Sequence, residues 1–226
     1  MLRAVIFDFD GVITDSEILH FRAFNAVLAP HGFELTKHEY YKDYLGMADK
    51  DCFHALIGEG RLGIPEAQVP ALIQQKTRVF EQLARTEGRI IEGVREFLDL
   101  LAQAQVPMAI CSGALRPEIE LILEEAGLRD HFDIIVSAEE VRHGKPDPEG
   151  FLLALRKLND IRPETIAPEC CIVIEDSHWG LKAARAAGMR TVAVTNTYDA
   201  AQLQQADKVV ARLDQLTIHD LQRICS

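Results

Sequence analysis

The chain has 226 residues, 48% of them hydrophobic and 26% charged, and its 35 acids against 24 lysines and arginines give a formal net charge of −11. That length suits one large domain, or one domain carrying an insert, with enough apolar residues for a full core. The acidic balance argues against nucleic acid and anionic membranes, whose binding relies on Lys and Arg neutralising phosphates; a small anionic ligand in a locally basic pocket stays open.

No stretch is apolar for the ~18 residues of a membrane span. The N-terminal apolar run is short and Asp8 interrupts it, unlike a signal peptide. A cytoplasmic location is therefore expected. The five cysteines, Cys52, Cys111, Cys170, Cys171 and Cys225, are odd in number and form no C-x-x-C pair. They read as free thiols in a reducing compartment, with Cys170 and Cys171 packing inside an apolar run.

In chain order, residues 4–9 form a Val/Ile/Phe-rich run of the kind that strands covered on both faces show. Residues 16–87 then carry helical periodicity without a convincing strand. The candidate helices are 17–28, 37–44, 49–57 and 67–84, which with short links suggest a small bundle. Beyond it, helical patterns at 94–104, 117–126, 149–158 and 181–187 alternate with apolar runs at 108–111, 133–136, 171–174, 191–194 and 208–210. Gly127 and Gly188 stand where helices would stop. Such alternation predicts an α/β fold, a Rossmann-like doubly wound parallel sheet with helices on both sides. The expected division is a core of residues 1–15 and 88–226 and a helical cap of residues 16–87, inserted over the end of the first strand.

The polar residues at the strand ends carry the chemistry. Asp8 and Asp10 end the first strand, Ser112-Gly113 the second, Gly144-Lys145-Pro146 follows the third and Glu175-Asp176-Ser177 ends the fourth. In a parallel sheet these ends share one edge, where open α/β sheets bind ligands. Four crowded carboxylates repel one another without a cation, and oxygen donors without a His/Cys cluster favour a hard ion such as Mg²⁺. A lysine and a serine hydroxyl beside them suit a phosphate group. An aspartate can attack phosphorus to give an aspartyl-phosphate, and a second acid two residues away can move the proton.

The segments Asp8-Phe9-Asp10-Gly11-Val12-Ile13-Thr14-Asp15, Ser112, Lys145-Pro146-Asp147-Pro148 and Glu175-Asp176-Ser177-His178-Trp179-Gly180 together resemble the four motifs of the haloacid dehalogenase superfamily, in order. The helical insert is similar to the cap of its β-phosphoglucomutase and phosphoglycolate phosphatase branch. The resemblance implies that Asp8 is the nucleophile and a metal ligand. Asp10 would be the acid/base, with its backbone carbonyl on the metal. Ser112, the Gly113 amide and Lys145 would hold phosphoryl oxygens. Asp176 would bind Mg²⁺, with Glu175 as ligand or close partner. Dehalogenases and phosphonatases of the superfamily lack the second aspartate, so Asp10 argues against both activities.

In the cap, His20 and Lys76 resemble hinge or substrate-side positions of β-phosphoglucomutase, and each has an equally plain structural reading. The segment Leu45-Gly46-Met47-Ala48-Asp49-Lys50 matches the specificity loop in position, but Leu45 and Asp49 stand where the mutase has basic residues. Arg116, close after Ser112, is a candidate substrate contact. Trp179 and the phenylalanines read as packing, and His143 as a solvated loop residue. Asp15-Ser16 and Glu87-Gly88 are the expected hinges of a cap that closes over the core.

The expected function is a Mg²⁺-dependent phosphatase acting on a small phosphorylated metabolite, a sugar or polyol phosphate. A phosphomutase of the β-phosphoglucomutase type is the alternative, and a non-catalytic ligand- or partner-binding module the least favoured reading. Nothing in the sequence fixes the oligomeric state, and a monomer is compatible with it.

Overall fold

β1 (Ala4–Phe7), β2 (Met108–Cys111), β3 (Ile134–Val136), β4 (Cys171–Glu175), β5 (Arg190–Val194) and β6 (Lys208–Val210) form one sheet in the computed structural model, which describes residues 1–45, 47 and 49–226. The order is β3-β2-β1-β4-β5-β6, and every neighbouring pair is parallel. Nearly every strand residue is buried, which is why the strands read as unbroken Val/Ile runs rather than alternating ones. The order reverses at β1, so the crevice for a ligand opens beyond the carboxyl ends of β1 and its neighbours.

The helices are α1 (Glu17–Leu28), α2 (Lys37–Glu39), α3 (Asp49–Gly58), α4 (Val69–Glu87), α5 (Val94–Gln103), α6 (Arg116–Glu125), α7 (Glu149–Asp160), α8 (His178–Ala186) and α9 (Ile218–Ile224). The chain divides into two compact units, Met1–Asp15 with Arg89–Ser226, and Ser16–Gly88.

In the first unit, Ala4 and Ile6 of β1 meet Ala109, Val136, Cys171 and Val173 on one face of the sheet. There α7 and α8 supply Phe151, Ala154, Leu158, Ala183 and Ala184. Phe7, one position along, points the other way and meets Phe97 of α5 edge-on at 6.1 Å and Phe132 at 5.8 Å. Truncating a ring so enclosed costs about 3–5 kcal/mol. All five cysteines are free thiols, and Cys170 packs against this core beside Cys171. The second unit is helical. Phe24, Val27, Leu28, Phe53, Leu56, Leu62, Val69 and Leu72 form its centre.

Several details differ from expectation, and the helix expected over 67–84 runs instead over Val69–Glu87. β1 stops at Phe7 because the backbone then folds into a tight loop, with the N–H groups of Val12, Ile13 and Thr14 all donating to the Phe9 carbonyl. Residues 37–44 form α2, opened by a Thr36/Glu39 capping box, and then a π-helical turn over Tyr40–Tyr44. α8 starts three residues early because the Ser177 hydroxyl caps it, accepting from Gly180 N at 3.1 Å. Trp179 does not pack: it is 59% exposed. α8 buries Gly180, Leu181, Ala183 and Ala184, which leaves position 179 on the outer stripe with Lys182 and Ala186. Among the described residues, no helix is long and apolar enough to cross a membrane.

Candidate active site

β1 delivers Asp8, whose N–H donates to the Ile174 carbonyl on β4 at 2.9 Å, so strand pairing runs one residue past the strand. Asp8 is only 8% exposed. β4 ends in Glu175, which is wholly buried. Glu175 Oε2 accepts from Asp176 N (3.0 Å), Ser177 N (3.0 Å) and Ser177 Oγ (2.8 Å). Its Oε1 accepts from Lys145 Nζ at 2.6 Å. The carboxylate fills the space above Gly180, where a Cβ would come within 1.7 Å of Oε1, so a larger residue there would displace it.

Lys145 joins the two strand ends, with Nζ 2.7 Å from Asp8 Oδ1 and 5.2 Å from the Phe151 ring centre. Its loop is clamped from α7. Glu149 accepts from the N–H groups of Arg142 (2.9 Å) and His143 (3.1 Å), and Glu149 N donates to Asp147 Oδ1 at 2.9 Å. His143 is mostly exposed, its ring 3.1 Å from Glu149 Oε2.

Beyond β2, Ser112 N donates to the Val136 carbonyl at 3.0 Å. The Ser112 hydroxyl accepts from Ala114 N at 2.9 Å and lies 3.5 Å from Asp10 Oδ2. Gly113 follows in an exposed turn, with open space where a Cβ would stand. The loop after β1 turns at Gly11, whose φ of +76° favours glycine; a Cβ there would lie 1.9 Å from Asp176 Oδ2. The loop after β5 also reaches this point. Thr197 Oγ1 donates to Asp176 Oδ2, and Asn196 Nδ2 donates to the Gly11 carbonyl at 2.7 Å.

The electrostatics follow from this crowding. Burial, and then the Glu175 charge, push Asp8 well above the usual carboxylate range, with the Lys145 amine opposing them. The same two causes push Asp176 up to about 7, against the Thr197 hydrogen bond and Lys145. Burial alone would lower Lys145, but Asp8 and Glu175 outweigh it and hold the amine charged. Burial pushes the neighbouring Cys111 thiol up to about 12, so it is no nucleophile at neutral pH.

Asp8, Glu175 and Asp176 each offer a carboxylate oxygen within 4.8 Å of the others. The donors are all oxygen, and one amine faces three buried acids, so a hard divalent cation fits the group by donor type and by charge.

The helical unit holds its own buried cluster. Lys76 on α4 is fully buried, with Nζ 2.8 Å from Asp49 Oδ1 and 2.6 Å from His20 Nδ1. His20 stacks on Phe80 at 4.1 Å, and Lys76 Nζ lies 5.0 Å from the Phe24 ring centre. Burial first, and Lys76 second, hold His20 well below its ordinary value. Of the segment 45–50, Gly46 and Ala48 lie outside the described residues. Arg116 donates to the Ile135 carbonyl at 2.6 Å and pairs with Glu120 and Glu140, so its guanidinium is engaged around β3.

The structure thus gathers Asp8, Asp10, Ser112, Lys145, Glu175 and Asp176 at one sheet edge. Thr197, Asn196 and Glu149 were missed by the sequence reading. The available signal for the first two was their position after a further parallel strand.

The family model described as haloacid dehalogenase-like hydrolase matches residues 2–188. A phosphorylated carbohydrates phosphatase of Thermotoga maritima is 31% identical over 194 residues, covering 84% of each chain. The fructose-1-phosphate phosphatase YqaB of Escherichia coli is 30% identical over 202 residues, covering 84% of this chain and 95% of that one. CbbY from Rhodobacter sphaeroides, solved in complex with phosphate, superposes with a TM-score of 0.86 at 25% identity, over 98% of this chain and all of that one. With these relatives and this sheet edge, the chain belongs to the haloacid dehalogenase-like hydrolases.

Proposed function

We propose that this protein is a Mg²⁺-dependent phosphatase that hydrolyses a small phosphorylated sugar or polyol through an aspartyl-phosphate on Asp8. The observation that carries the reading is the Asp8–Lys145–Glu175 contact, 2.7 and 2.6 Å, with Asp176 close by and Asp10 and Ser112 at the same edge. Asp8 attacks phosphorus and the ester P–O bond breaks, while Asp10 gives its proton to the leaving oxygen. Asp10 then takes a proton from water as that water attacks the aspartyl-phosphate, which frees inorganic phosphate and Asp8. Ser112, the Gly113 amide and Lys145 hold the phosphoryl oxygens. Lys145, paired with Asp8, opposes the burial and the Glu175 charge that raise the nucleophile, so it favours the ionised form without outweighing them.

Asp8, the Asp10 carbonyl, Glu175 and Asp176 would hold Mg²⁺. The ion, when bound, neutralises charge on the transferring group, which is most of what phosphoryl transfer requires. The names of the two relatives support a phosphorylated carbohydrate as substrate. The acid at position 49 favours hydrolysis over mutase transfer: Asp49 neutralises Lys76 inside the helical unit, whereas a bisphosphate intermediate needs a second cationic grip.

The test is phosphate release from a panel of sugar and polyol monophosphates, with Mg²⁺ and with chelator. Chelator-sensitive release from one chemical group is expected. Silence across the panel, with sugar 1-phosphates isomerised once a bisphosphate activator is added, would replace hydrolysis by the mutase reaction.

A further inference from the structure

The proposed chemistry uses the ends of β1, β2 and β4 and the loop after β3. A further parallel strand, β5, ends at the same edge, and its loop touches the site through two side chains. Thr197 Oγ1 donates to Asp176 Oδ2. Asn196 Nδ2 donates to the Gly11 carbonyl at 2.7 Å. Gly11 lies between these contacts, and a Cβ on it would come 1.9 Å from Asp176 Oδ2 and 3.0 Å from Thr197 Oγ1. The loop that carries Asp10, the carboxylate after β4 and the loop after β5 therefore meet at one point.

A free carboxylate turns readily about its last torsion, whose minima are broad. Anchoring one oxygen fixes the plane, so the other faces a set direction and less freedom is lost when a cation binds. Groups that orient metal ligands in this way alter affinity by about 10–100-fold when removed.

We infer that Thr197 is a positioning residue for divalent-cation binding, its hydroxyl anchoring Asp176, and that Asn196 supports it by fixing the Gly11 carbonyl. The inference rests on the reading of Asp176 as a metal ligand. Thr197 and Asn196 are themselves exposed, so burial of these side chains gives no reason for this hydroxyl and this amide to sit here. Exposure also makes the positions testable, because Thr197→Val removes the hydroxyl at nearly constant shape without opening a core cavity.

The experiment titrates the full-length protein with Mn²⁺, read by the loss of the free-ion electron paramagnetic resonance signal, beside the Mg²⁺ dependence of phosphate release. Thr197→Val is expected to weaken Mn²⁺ binding about tenfold and raise the Mg²⁺ needed for half-maximal rate by a similar factor, with kcat at saturating Mg²⁺ within about threefold. Thr197→Ser restores both, and Asn196→Ala gives a smaller loss of the same kind. Asp176→Asn is the control. If it loses the ion while Thr197→Val binds like wild type, the positioning role is overturned and the metal site stands. If Asp176→Asn binds as tightly as wild type, the metal-site reading itself fails. A fall in thermal stability that serine does not rescue would make Thr197 a structural tether and overturn the inference.

Discussion

In the core unit, three buried carboxylates, Asp8, Glu175 and Asp176, crowd against one amine, that of Lys145. In the helical unit one buried amine, Lys76, meets one carboxylate, Asp49, and an imidazole held neutral by burial and by that amine. The first cluster has an excess of negative charge that a divalent cation would balance. The second is balanced within itself. Buried charge alone does not mark a reactive site; the mismatch between acids and bases does.

Lys145→Met breaks the first cluster most directly. It leaves Asp8 and Glu175 facing each other and, under the proposed mechanism, takes a charge from the phosphoryl oxygens, so kcat/KM for the best substrate should fall about 10²–10³-fold. A loss under tenfold would mean that the amine serves the fold rather than the reaction. In the second cluster, Asp49→Ala strands the buried Lys76 charge, and urea unfolding should show a loss of about 3–5 kcal/mol. The double variant Asp49→Leu with Lys76→Met should recover most of it. Equal instability of the single and double variants would show that the pair is not self-contained.

Proton linkage sharpens the contrast. In the metal-free fold Asp176 stands at about 7, against an ordinary 3.8, and Asp8 is raised as well. Between those values the folded protein holds protons on these carboxylates that the unfolded chain has released, so their contribution to stability is fully present below about 3.8 and is lost as pH rises through about 7. Mg²⁺ competes with these protons. The gain in Tm on adding Mg²⁺ should therefore be larger at about pH 8 than at about pH 6; a gain that is the same at both would contradict the raised carboxylates. The smallest effect concerns His20. Lys76→Met should move its imidazole titration upward in an NMR experiment, yet leave it below the ordinary 6.5, because burial is the larger cause. No movement would mean that the lysine charge does not reach the ring.

Much of this was legible in the sequence. The Val/Ile runs gave the strands because a sheet covered on both faces leaves no polar side to hide them. The acids could be assigned to one edge because a parallel sheet puts all its strand ends together. What stayed hidden depends on tertiary contact. The Asp49–Lys76 pair joins two residues, on α3 and α4, that are 27 positions apart in the chain. Thr197 and Asn196 sit in a loop with no motif, and only the fold brings them to Asp176 and Gly11. Trp179 misled because hydrophobicity alone predicts burial, whereas its place on the outer stripe of α8 depends on a helix start set by the Ser177 cap.

The central claim is that Asp8 takes the phosphoryl group. The direct measurement is a single-turnover reaction with a ³²P-labelled substrate and Mg²⁺, quenched in acid and digested. Label on the peptide that contains Asp8, released by hydroxylamine and absent from a folded Asp8→Asn variant that has lost turnover, is the predicted result. Full turnover by Asp8→Asn, or label on any other peptide, would contradict the account.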